Sequence, residues 1–107
     1  MIAGVILSGP NNATVVVRGL GPSLRQLGVA DSLQGPTVEL YDGNGTITVS
    51  NDDWRDSQEA ALQGSSLAPT DNREAALLTE LTAGAYTAIL RGKNESGIGL
   101  IEIYNLP

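Results

Sequence analysis

The chain has 107 residues, 41% of them hydrophobic, which suits one domain built around one core. Its formal charge of −6, with only six scattered basic residues, argues against nucleic acid and anionic membrane surfaces as partners. There is no Cys and no His, which removes disulfides, thiol nucleophiles, the usual zinc ligands and Ser–His catalysis.

The first ten residues, "MIAGVILSGP", carry no basic leader region, and their apolar run is short and broken by Gly4. They read as a strand over 2–8. "GPNN" (9–12) is a turn and "TVVVRGL" (14–20) runs back, so the two predict a hairpin. "GPSLRQLG" (21–28) carries a helix signature: Pro22 at the first turn, Leu24 and Leu27 on one face, and Gly28 after the end. This short helix would plug one end of a sheet.

"TVELYD" (37–42) alternates, with Val38 and Leu40 on one face and Glu39 and Tyr41 on the other. "GNG" (43–45) is a turn signal, and "TITVS" (46–50) alternates again. These two runs predict a second hairpin. In "DSQEAALQG" (56–64), Asp56 as N-cap and Glu59 three residues later predict a capping box and a second short helix. After a loop at 65–72, the runs 73–81, 82–92 and 97–106 follow at meander spacing and read as three strands. No run reaches the roughly 20 apolar residues of a membrane span. The pattern is all-β: one domain over 1–107, an antiparallel jelly-roll-like β-sandwich of about seven or eight strands with two short helices.

Four runs, "RGLGPSLRQLGV", "PTVELYDGNGTITVSNDDW", "LAPTDNREAALLTELTAGAYTAILRGKN" and "GIGLIEIYNL", resemble an uncharacterised bacterial domain that is often tandemly repeated in large secreted and cell-surface proteins. The second half is more distantly similar to the bacterial pre-peptidase C-terminal domain, a jelly-roll module appended to secreted hydrolases. Both resemblances imply an extracellular or cell-surface β module, and neither implies an active site. In the tandem family a further segment with its own strand usually precedes the position of Met1. Either Met1 is internal to a longer precursor, or the domain lacks that strand. Under both readings an edge of the sandwich is open to strand addition.

The chemically suggestive stretch is "SNDDWRD" (50–56), which with the preceding turn gathers Asp42, Asn44, Asn51, Asp52, Asp53 and Asp56. Oxygen ligands on flexible loops suit calcium, and Asp42, Asn44, Asp52 and Asp53 are the candidate ligands, although the EF-hand spacing is absent. The plainer reading is that Asn and Asp make side-chain-bonded turns and cap the next helix. A glycosidase carboxylate pair is disfavoured, because adjacent Asp52 and Asp53 point in different directions. Trp54 either stacks a sugar or packs over the end of the sandwich and anchors the loop.

The glycines of "RGLGPSL" can suit an anion at a helix start, or permit a sharp turn and close packing. Lys93 reads as a solvated turn lysine. Asn12, Asn44 and Asn94 open N-x-[ST] sequons in predicted turns. The apolar runs "GVILS", "TVVVRGL" and "GIGLIEIYNL" are either ordinary core or include one that pairs between subunits.

The expectation is therefore a non-catalytic extracellular module, a repeat unit or fibre subunit whose partners are copies of itself or neighbouring repeats. The alternative is a calcium-dependent, polysaccharide- or surface-binding module appended to a secreted enzyme.

Overall fold

The computed structural model describes residues 1–56, 58–93 and 95–106. Alternation fixes the inner face of each strand. In β1 (Ile2–Leu7) the inward residues are Ala3, Val5 and Leu7. In β2 (Ala13–Leu20) Val15 and Val17 point inward, while Val16 is buried on the opposite face. β3 (Pro36–Tyr41) contributes Val38 and Leu40 to the core. β4 (Ile47–Asn51) supplies Val49. Ala75 and Leu77 come from β5 (Ala75–Leu81), and Tyr86, Ala88 and Leu90 from β6 (Gly84–Gly92). Ile101 and Ile103 of β7 (Leu100–Leu106) pack against the same core.

The strands form two antiparallel sheets, β1-β6-β3-β4 and β5-β2-β7. The expected all-β sandwich with two short helices is the fold, with seven strands among the described residues. Among the described residues no helix is long and apolar enough to cross a membrane.

Three local expectations need correction. The runs 2–8 and 14–20 are not a hairpin: β1 pairs with β6, and β2 pairs with β5 and β7. A Gly-Pro-Asn turn shows that the chain reverses, and says nothing about whether it returns to the same sheet. For the same reason β5, β6 and β7 are not a meander, since β6 lies in one sheet and its two sequence neighbours in the other. The predicted β3–β4 hairpin is present, with a register shift at Leu40/Tyr41.

The third correction concerns the helices. α1 (Pro22–Gln26) begins at Pro22 as expected, and the Gly28 N–H bonds to the Arg25 carbonyl at 3.1 Å where the chain leaves the helix. Gly28 takes a φ of 99°, which only glycine adopts without strain. α2 (Glu59–Gly64) has no capping box: its N-cap is Gln58, which makes no side-chain cap bond. Nor does α2 plug an end. Leu62 packs with Trp54, Val16 and Ala76, so α2 and the Trp54 loop form a partial third layer on the outer face of β5-β2-β7. That is why all of Val15, Val16 and Val17 are buried: β2 is covered on both faces.

Facing pairs of strands fix how the sheets overlap. β5 packs across from β3 and β4, β2 across from β3, and β7 across from β6. A jelly roll faces two four-stranded sheets. Here the second sheet is one strand short, on the side of β7, and β1 projects beyond it.

Candidate functional site

The candidate ligands Asp42, Asn44, Asp52 and Asp53 fall into two separate pairs. Asp42 and Asn44 lie at the tip of the β3–β4 hairpin, where Asp42 Oδ1 accepts the Asn44 N–H at 2.9 Å and the Thr46 N–H at 3.0 Å. Asp52 and Asp53 follow β4 at its far end, about 15 Å away at the usual rise of a strand. Among the described residues no group of three or more His, Cys, Asp or Glu is arranged to hold a metal ion.

The cation that meets Asp52 is the chain's own. Lys93 is an exposed turn lysine, as its place in the sequence predicts, and its Nζ also lies 2.5 Å from Asp52 Oδ1. The hydrogen bond to Asp52 holds the Lys93 ammonium above its ordinary pKa; desolvation opposes it, and the charges of Asp52, Asp53 and Asp56 add to the effect. Asp53 contributes its backbone carbonyl, which accepts from Asn51 Nδ2 at 3.1 Å and from the Asp56 N–H at 2.9 Å.

Trp54 is 2% exposed and presents no free face to a sugar. Its Nε1 donates to the Asp71 carbonyl at 3.2 Å, its backbone N–H donates to the Glu74 carbonyl at 3.0 Å, and Arg55 stacks 4.4 Å from the ring centre. It anchors the loop, as one reading of the sequence anticipated, against a sheet face and not over an end.

The glycine-rich start of α1 does hold an anion, supplied from within. Glu74 is fully buried, and its Oε2 accepts from the Gly21 N–H at 3.1 Å, the Ser23 N–H at 2.9 Å and Ser23 Oγ at 2.5 Å. Three donors replace part of the water that this side chain loses on burial. Its Oε1 is buried and accepts no hydrogen bond among the described residues. Sequence reasoning passed over Glu74. The available signal was a charged residue directly before the apolar run "AALL".

The four sheet edges are treated unequally, and this contrast is the site. β5 is an edge, yet three of its outward backbone groups are occupied: Asn51 Oδ1 accepts the Ala76 N–H at 3.0 Å, and Gln58 brackets Leu78 through Oε1 at 2.9 Å and Nε2 at 2.6 Å. β4 is five residues long and irregular in register. Short, plugged or irregular edges resist pairing with another chain.

The other side carries β1 and β7. Neither backbone receives a side-chain hydrogen bond on its free edge among the described residues. β1, "IAGVIL", has no polar side chain at all, and Ile2 and Ile6 are 69% and 81% exposed on its outer face. Val5, Leu7, Ile101 and Ile103 touch the core and remain half-buried. Of the seven large apolar side chains that are exposed among the described residues, Met1, Ile2, Ile6, Ile98 and Leu100 belong to β1, β7 or the residues just before them. Met1, Leu90, Ile98 and Gly99 also line a shared groove of about 400 Å³. Two of the three apolar runs singled out from sequence are therefore edges. The third, "TVVVRGL", is the central strand of its sheet and has no free edge.

The two candidate sequons within reach are on the surface, with Asn12 and Asn44 exposed, while Asn94 lies outside the described residues. No family model, no curated protein and no solved structure matches the chain.

Proposed function

We propose that this chain is a non-catalytic structural module of the cell surface or extracellular space, a repeat unit or self-associating subunit joined to its neighbours through sheet edges. One observation carries the reading. The β5 edge is plugged in part by Gln58 and Asn51, whereas among the described residues no side chain occupies the free edges of β1 and β7, and β1 is wholly apolar. An exposed, apolar, unplugged edge is a template for another strand. The non-catalytic part is supported by the lack of His and Cys and by the internal partners of Glu74 and Asp52. The extracellular part is supported by the sequence resemblance to secreted tandem domains.

Sedimentation velocity and electron microscopy from micromolar to millimolar protein test the reading. The upper end matches the effective concentration that a short linker imposes on neighbouring units. The expected result is an assembled species whose population rises with concentration. A single monomeric species at every concentration overturns it.

A further inference from the structure

We infer that the occupant of the open side is a second copy of this chain, bound about a two-fold axis so that β1 of each copy lies beside β7 of the other. The inference rests on the reading that the module self-associates and adds the geometry of the joint.

The shape of the open side is self-complementary. The first sheet has four strands and the second has three, and β7 sits under β6, so β1 overhangs a recess one strand wide. The overhang of one copy is the size of the recess in the other. Placing each β1 in the partner's recess joins β4-β3-β6-β1 to the partner's β7-β2-β5. The result is two continuous seven-stranded sheets with both bare edges consumed. A two-fold axis requires each contact to occur twice, and this one does, because every copy owns one overhang and one recess.

The chemistry of the strands agrees. A strand inserted into the recess has both of its edges paired and its inner face covered by the partner's overhang, which suits an apolar strand. β1 is the one edge strand without a polar or charged side chain. It brings no charge that would need a buried partner. On β7 the charged residue is Glu102, which is already paired with Arg18 on the outer face of its sheet. The inserted strand covers Ile101 and Ile103 of the partner, and the overhang above it gains cover for Val5 and Leu7.

Introduced cysteines test this cleanly, because the chain has none of its own. Proteins carrying Ile2→Cys or Ile6→Cys on β1 are mixed pairwise with proteins carrying Leu100→Cys or Leu106→Cys on β7, then oxidised under mild conditions. The expected result is a mixed disulfide between a β1 variant and a β7 variant in at least one mixture, forming more than tenfold faster than under denaturing conditions. Sedimentation of the unmodified chain is expected to stop at two copies. Val5→Lys, which places a charge in the joint, is expected to abolish the two-copy species while far-ultraviolet dichroism stays native. If that variant does not fold, the disulfide mixtures decide alone.

Association that continues past two copies, or disulfides confined to β1–β1 or β7–β7 pairs, overturns this joint and leaves the structural role standing. A chain that stays monomeric overturns both, and is the result expected if the recess serves a strand from elsewhere in a longer polypeptide.

Discussion

Gln58 takes up both backbone groups of Leu78: Oε1 accepts its N–H at 2.9 Å and Nε2 donates to its carbonyl at 2.6 Å. A side-chain amide thus imitates one residue of a neighbouring strand at the β5 edge. The side chain lies just before α2, whose burial of Leu62 fixes where Gln58 stands.

Gln58→Ala should therefore cost about 1–3 kcal/mol, the range for losing hydrogen bonds to partly buried backbone groups. Urea unfolding measures the loss. Hydrogen exchange at the Leu78 amide should accelerate beyond what the global destabilisation explains.

The buried Glu74 makes a sharper prediction. Glu74→Ala strands the Gly21 and Ser23 donors and should cost about 2–4 kcal/mol, whereas Ser23→Ala removes one of three bonds and should cost about 1–2 kcal/mol. In the double variant the two losses should fall short of their sum, because Ser23 Oγ and Glu74 Oε2 share one bond. Additive losses, measured by chemical denaturation, would show that Glu74 does not hold α1 through Ser23.

Gly21 stands where no side chain fits. A Cβ added there would overlap the backbone carbonyl of Leu33, which cannot swing aside as a side-chain end can. Gly21→Ala should destabilise by about 1–3 kcal/mol, as overpacking does. Gly28→Ala instead meets open space and is penalised by its positive φ alone. Thermal melts of the pair should rank Gly21→Ala as the less stable.

Acid should weaken the fold partly through Asp71. The hydrogen bond from the Arg73 guanidinium lowers the Asp71 carboxyl below its ordinary value of 3.8; burial opposes this, and the Arg73 backbone N–H and charge lower it further. A carboxyl depressed in the folded state contributes stability above its unfolded pKa and loses it as pH falls through the folded one. The advantage of the native chain over Asp71→Asn should be complete near neutrality and should fade from about pH 4 downward. Arg73 is largely exposed, so solvent screening keeps the effect small. An advantage that stays constant to pH 2 would remove Asp71 from the account.

Much of this was written in local patterns. The alternation of Val38, Glu39, Leu40 and Tyr41 named the inner face of β3 directly, whereas the run Val15–Val17 reads only as an apolar strand and is in fact covered on both faces. What stayed hidden was partnership at a distance. Nothing near Ile2–Leu7 tells that it pairs with Gly84–Ile89, because a turn records a reversal and not a destination. The partner of Asp52 was hidden for a related reason: Lys93 is distant in the chain, and that pairing leaves no spacing signature. Gln58 gave no warning at all: a glutamine before a helix is ordinary until the β5 edge arrives beside it.

The order of the sheets has a consequence for how the chain gets there. Of the six steps from one strand to the next, only β3 to β4 stays within a sheet; each of the others crosses between layers. Most pairings must therefore wait until distant segments meet, and the entropy of closing those loops is lost before any ladder repays it. Such a chain belongs with the slow all-β folders, in the range of about milliseconds to seconds. Throughout that interval Ile2–Leu7 waits for β6, a partner that emerges late in synthesis, and the most apolar strand of the molecule is the one left longest without company.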